Sequence, residues 1–335
     1  MSASYTWERF KNIFFLILLS SLIWTLLSGH PLWIPLTVIP VFLGIQVALT
    51  DLVEYYLVKY ANSRTRWFDL LVAPGTILHE LSHLFAALIT GCTVTKVSLF
   101  KPDPKTGTLG FVRYSQPVDK WTVFRDLVVG FAPFFGCGIL LVSINYFYGG
   151  GLIRLAQETM LAGIDEIPYF IIQVLEELWV NFSFFDPQTF TGLIILYLQA
   201  TFAFGAASST VDFKGFLKSL ITHPLSSLFL LFLAFIFLKL SSNMGGEGVF
   251  ASLSRILQAN VILALIILVI SEITVLFSIP ALIVGVEFAR LSMLERIPAL
   301  ALTLITTYTG DSIIIPFTVF AVATLFTANR DRFLK

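Results

Sequence analysis

The sequence predicts an all-α polytopic membrane protein of about seven to nine transmembrane helices, with one small β-hairpin inserted after a helix that bears two histidines. Three observations lead there. Of the 335 residues, 57% are hydrophobic and only 13% are charged, with 33 phenylalanines, whereas a soluble domain averages about 45–50% and about 25%. Apolar runs recur at the length of roughly 18 residues or more that a helix needs to cross a bilayer. One stretch, residues 92–122, breaks that texture with alternating β-branched and polar residues.

Taken in order, Arg9 and Lys11 precede an apolar run at 12–29 that ends in "LLSGHPLW". No small-residue cleavage site follows, so the run reads as an uncleaved first span rather than a signal peptide. Further spans are expected at 31–50, 70–91, 126–148, 190–211, 224–240 and 257–278. The tail, 279–328, is broken by "IPALIVGVEFARL", "IPALALTLITTYT" and Pro316, which fits one or two more spans or broken helices packed on the others. This divides the chain into an N-terminal transmembrane hairpin (1–69), a core (70–222) and C-terminal transmembrane helices (223–335) to which the sequence assigns no role.

Two connectors have their own character. Residues 94–114 hold two period-two runs either side of "KPDPKTG", the pattern of a β-hairpin. Residues 149–189 are acid-rich, with "DEIPYF" and "VLEELW", and read as a solvated face. The hairpin segment carries Lys96, Lys101, Lys105, Arg113, Lys120 and Arg125, whereas 149–189 carries only Arg154. By the positive-inside rule the hairpin is cytoplasmic and the acidic segment external. Lys59, Arg64 and Arg66 fit that orientation poorly, which leaves the first two spans open. Net charge is zero, so nothing argues for nucleic acid as a partner. Cys92 and Cys137 form no CxxC and read as small packing residues.

The chemistry concentrates in "TILHELSHLFAALITG", residues 76–91. His79, Glu80 and His83 form HExxH inside an apolar span, where titratable side chains cost on the order of 2.5–3.5 kcal/mol each. At i and i+4 on a helix both imidazoles project from one face and can grip one ion, with Glu80 about 100° round, near a water on that ion. A catalytic zinc takes three protein ligands and keeps one open position, so a third donor is required. Asp212, Glu272, Glu287, Asp311 and His223 are the candidates in apolar sequence. Asp212, in "AFGAASSTVDFKG", is preferred: the topology returns it to the hairpin's side, and the small residues before it allow close helix approach. The competing role for Asp212 is to cap a helix over 213–222.

HELSHLFAALITG, then the β-rich segment, then "GFAPFFGCG" and "VDFKG", together resemble the site-2 protease family of intramembrane zinc metalloproteases over about residues 70–220. The resemblance implies zinc held by His79, His83 and Asp212, with Glu80 as the general base. It implies hydrolysis of peptide bonds in a transmembrane protein or peptide substrate within the lipid bilayer, in a multi-pass protein of the cell membrane. The chain departs from the family's "NxxPxxxLDG" at "GAASSTVDFKG", and has Gly136 where Gly-Pro-x-x-Asn places asparagine. Two other readings therefore stay open: an inactive metal-binding relative, and an ion or solute transporter that uses Glu272, Glu287 and Asp311. Oligomeric state and substrate identity are left open by the sequence.

Overall fold

The computed structural model describes residues 3–27, 33–59, 66–101, 109–149, 172, 190–207, 210–241, 249–309 and 314–329. Ten helices and one two-stranded sheet are described: α1 (Ala3–Leu27), α2 (Trp33–Lys59), α3 (Arg66–Ile89), β1 (Thr93–Ser98), β2 (Phe111–Ser115), α4 (Thr122–Gly149), α5 (Phe190–Ala206), α6 (Thr210–Thr222), α7 (Pro224–Ser241), α8 (Val249–Arg290), α9 (Met293–Thr309) and α10 (Ile314–Ala328). The acid-rich 149–189 and the "PDPKTG" tip fall almost wholly outside the described residues.

Among the described residues, three stretches are long and apolar enough to cross a membrane: Val72–Ile89, Thr122–Phe147 and Arg255–Gly285. A fourth is possible if Gly215–Thr222 and Pro224–Phe237, bent by 104° at His223, count as one broken span. The bend is local chemistry. Pro224 has no N–H to continue the ladder and disfavours α geometry in the residue before it.

Two boundaries differ from the sequence expectation. The run 190–211 does not continue as one helix: α5 ends at Ala206 and α6 begins at Thr210, so Asp212 lies within the first turn of a new helix. "IPALIVGVEFAR" is no separate segment but the last third of the 42-residue α8, which runs through Pro280. Proline removes a single backbone hydrogen bond there, and long apolar helices tolerate that when neighbours pack around them.

α8 is the axis of the bundle. Leu265, Ile267, Leu268 and Ile270 are almost fully buried and form one core with Phe134, Cys137 and Leu141 of α4 and Ala203 and Ala206 of α5. Gln46 of α2 donates from Nε2 to Ser271 Oγ at 2.7 Å. Asn145 of α4 accepts from Gln199 of α5 at 3.2 Å. Both cysteines are buried and free, in line with a packing role.

Glycine sets how closely α3, α4 and α5 approach. A Cβ on Gly75 would strike the Thr201 carbonyl, and one on Gly205 would lie 2.8 Å from both Gly75 O and Cys137 Sγ. A Cβ on Gly136 would meet the Ser82 hydroxyl. The hairpin is fixed at its root. Gly91, at φ 76°, ends α3 with Cys92 N–H donating to Ala87 O at 2.8 Å, a Schellman-type stop that only glycine adopts without strain. Arg125 then ties the ends of α3 and α4 together: Nε donates to Thr90 O at 3.1 Å, and its two terminal nitrogens grip Asp119 at 2.8 and 2.9 Å. That guanidinium holds the Asp119 carboxyl below the usual carboxylate range.

Gly75→Ala is expected to cost about 1–3 kcal/mol through overpacking against backbone. Gly215→Ala, with nothing within 4 Å of the added methyl, is expected to be neutral or to stabilise by about 0.5–1 kcal/mol. Thermal melts of the two variants in one detergent check this; equal shifts would contradict a tight α3–α5 contact.

Candidate metal centre

Four helices meet at the HELSH segment, and the structure brings His79, His83 and Asp212 together. The Nε2 atoms of His79 and His83 are 3.2 Å apart. His83 Nε2 lies 3.4 Å from Asp212 Oδ1, and His79 Nε2 lies 3.6 Å from Oδ2. All the ligand atoms fall within 4.8 Å of one another. Two ligands at about 2.0–2.1 Å from a tetrahedral ion are separated by roughly 3.3 Å, so the observed spacings fit the edges of one coordination polyhedron.

The second nitrogen of each ring explains why the lone pairs converge. His79 Nδ1 donates to Gly205 O at 2.8 Å, and His83 Nδ1 donates to Val129 O at 2.7 Å. A carbonyl oxygen only accepts, so both Nδ1 atoms carry hydrogen, and each ring in its neutral form presents a bare Nε2 lone pair inward. Two lone pairs and a carboxylate facing one another repel unless a cation lies among them. A single proton satisfies one contact; a divalent metal ion satisfies all three. The group can therefore hold a metal ion.

Each ligand is placed by packing. The Gly75–Gly205 approach puts Gly205 O beside His79, and the α3–α4 contact at Ser82–Gly136 brings Val129 O to His83. Asp212 is held by α6 against α4: a Cβ on Gly130 would lie 3.6 Å from Asp212 O, and Phe131 meets Phe216 edge-on at 6.0 Å. In the first helical turn its carboxylate is also favoured by the helix dipole.

Glu80 is 7% exposed and lies under the hairpin. A Cβ on Gly110 would lie 2.7 Å from Glu80 Cγ, 2.8 Å from Leu99 O and 2.9 Å from Ser98 O, so a side chain at 110 would force the hairpin backbone or Glu80 to shift. Thr93 leaves the end of α3, yet Gly110 meets Glu80 nine residues earlier. The hairpin therefore folds back along α3 by about 14 Å at 1.5 Å per residue. Val94 and Tyr114 pack on Ala86, Ala87 and Val129, and Asp126 accepts from Tyr114 Oη and Gln116 Nε2 at 3.2 and 2.8 Å.

The other candidate donors are elsewhere. Glu287 pairs with Arg290 at 3.4 Å. Glu272 is buried in α8 with Oε1 unpartnered. The His223 carbonyl accepts from Ser227 at the bend. Asp311 lies outside the described residues. Ser82 and Thr90 donate to Leu78 O and Ala86 O of their own helix at 2.7 Å. Sequence reasoning missed the two orienting carbonyls, which no residue type announces. It also missed the packing role of Gly75, for which a glycine one helical turn before His79 was an available signal.

Comparison of the chain with protein-family models, with curated proteins and with solved structures finds no match. The site is thus characterised by its own geometry.

Protein purified without chelator is expected to contain one equivalent of divalent metal by elemental analysis. His79→Ala, His83→Ala and Asp212→Ala are each expected to lose it, while Glu272→Gln keeps it. Full metal content in Asp212→Ala would remove the carboxylate from the ligand set.

Proposed function

We propose that this protein is an intramembrane zinc metalloprotease whose substrate is a transmembrane protein or peptide. The observation behind this is the inward convergence of two Nε2 lone pairs and one carboxylate at tetrahedral spacing, with a glutamate on the same helix. Two imidazoles and one carboxylate are a donor set that zinc accepts, leaving a position open. The resemblance of HELSH and "VDFKG" to the site-2 protease family supports the same assignment. With the four shorter apolar segments Phe14–Leu27, Leu36–Thr50, Ile194–Ala206 and Thr318–Ala328 also taken as crossings, the chain would have seven or eight spans, as a multi-pass protein of the cell membrane.

A zinc ion at this site would acidify its water and polarise the scissile carbonyl. Glu80 would serve as the group that takes a proton from that water and passes it to the leaving amine. A membrane-embedded substrate helix hides its carbonyls in its own i to i−4 bonds and must be unwound first. The free edge of the hairpin, folded back to Glu80, can take the unwound segment as an added strand. Backbone at that depth is tolerated where it lines a water-filled recess, which would also bring water to Glu80. Trp121, Phe124 and Phe229, in edge-on contact at 5.7 and 5.2 Å with Lys120 above, read as the interfacial belt. Val129, which orients His83, lies seven residues into α4, so the metal would sit about 10 Å below the headgroups.

The test is Glu80→Gln in nanodiscs with a model transmembrane substrate. Cleavage is expected to fall by at least about 100-fold with metal content unchanged, and a chelator is expected to abolish wild-type cleavage until zinc is restored. Wild-type rates from Glu80→Gln would refute the assignment of Glu80. Full zinc occupancy without cleavage of any transmembrane substrate would point instead to an inactive metal-binding relative.

A further inference from the structure

The outward face of the hairpin holds a pairing that strands ordinarily avoid. Lys96 and Arg113 are register partners across the antiparallel ladder, and both are exposed. Like charges set directly opposite one another destabilise a strand pair. Both cations lean on one ring: Lys96 Nζ is 5.5 Å and Arg113 Cζ 5.1 Å from the Phe111 centroid. The ring's negative face offsets part of the repulsion. Among the described residues no carboxylate pairs with either cation. Asp119 is taken by Arg125, Asp126 by Tyr114 and Gln116, and Asp212 by the two histidines.

Further along the chain, at the start of α4, a basic group again stands beside exposed apolar ones. Lys120 Nζ lies 5.9 Å from the Trp121 ring and 5.4 Å from Phe229. Val118 and Leu225 are 77% and 82% exposed. Aromatic and aliphatic side chains beside snorkelling cations are what a protein presents at the headgroup layer.

We propose that Lys96 and Arg113, with Phe111 between them, form a docking site for the phosphate of an anionic phospholipid headgroup. A guanidinium supplies a planar pair of donors and an ammonium a mobile point charge, so one phosphate can bridge both strands. Its charge removes the cross-strand repulsion, and the apolar ring faces the lipid's glycerol region. A bound lipid therefore tightens the strand pair whose far end covers Glu80. This inference stands apart from the protease assignment, because its readout is lipid binding.

The experiment uses full-length protein, delipidated in neutral detergent and titrated with phosphatidylglycerol or phosphatidylcholine in mixed micelles. Binding is followed by native mass spectrometry and by thermal melts. Phosphatidylglycerol is expected to bind and raise the melting temperature, and phosphatidylcholine is not. Lys96→Gln with Arg113→Gln should weaken phosphatidylglycerol binding roughly 30-fold, from two juxtamembrane cations, and erase the thermal shift. Lys218→Gln, an exposed lysine on α6, should keep both. The charge-preserving swap Lys96→Arg with Arg113→Lys should also keep both, which separates lost charge from a damaged hairpin. Equal binding of the two lipids, or an affinity within twofold in the glutamine pair, would overturn the proposal. Inorganic phosphate that stabilises as strongly as phosphatidylglycerol would assign the pair to a free anion and overturn the lipid. So would an acidic peptide that binds where phosphatidylglycerol does not.

Discussion

The contact on which the candidate site depends most is between backbones: α3 and α5 touch at Gly75 and Gly205, close enough that a single methyl on either would collide. From that distance Gly205 O can accept the Nδ1 hydrogen of His79. One carbonyl thereby sets both the tautomer and the direction of a ring. In a bilayer no hydrophobic force draws helices together beyond what lipid already satisfies, so small residues and interhelical hydrogen bonds decide which helices meet. Here glycine permits the approach and histidine uses it. A larger residue at 75 would separate the helices, and Nδ1 of His79 would lose its acceptor before any ligand distance changed.

The same logic extends to His83, whose acceptor is Val129 O. Two helices, α4 and α5, each lend a carbonyl to one imidazole, and a third, α6, lends the carboxylate. None of these partners is adjacent in sequence to HELSH. The three polar side chains are expensive in an apolar span, and their arrangement lowers that expense only in part. The Nδ1 atoms are satisfied by backbone carbonyls, whereas the Nε2 atoms and the carboxylate face one another at 3.2–3.6 Å. That inward convergence is what makes the group a candidate ligand set, unlike the Asn145–Gln199 pair in the same bundle, where an amide donor meets an amide acceptor.

Much of this was legible in sequence because the signals were local. HExxH on a helix puts two imidazoles on one face by the i, i+4 rule, and period-two β-branched runs around a turn gave the hairpin with its strands at Thr93–Ser98 and Phe111–Ser115. Asp212 was singled out by the expected return of its span toward the hairpin, and the structure does bring it beside His79 and His83. What was not legible depends on packing. The break after Ala206 has no proline to place it, and "FGAASSTVD" carries the expected span to 211, so the helix expected over 213–222 in fact starts earlier, at Thr210. Proline at 280 reads as a stop in isolation, but the surrounding helices carry α8 through it. Gly136 looked like a missing asparagine. In the fold it is the point where α4 clears the Ser82 hydroxyl, so an amide side chain there would push α4 away from α3 and take Val129 O from His83.

α6 gives Asp212 a different footing from the two histidines. His79 and His83 ride on one long helix wedged between α4 and α5. Asp212 rides on a short helix that begins after a break and ends at a 104° bend. Its hold on the bundle is the Gly130 contact, the Phe131–Phe216 pair and the anchoring of Ser227 across the bend. Moving α6 as a unit would draw the carboxylate away while leaving both imidazoles and their carbonyl acceptors in register. A metal ion held between α3 and α6 would contribute its binding free energy to keeping α6 docked, as any ligand that prefers the docked state must. Coordination and the packing of α6 on α4 would then be one equilibrium, and a substitution at Phe131 or Phe216, remote from every candidate ligand atom, would act on both.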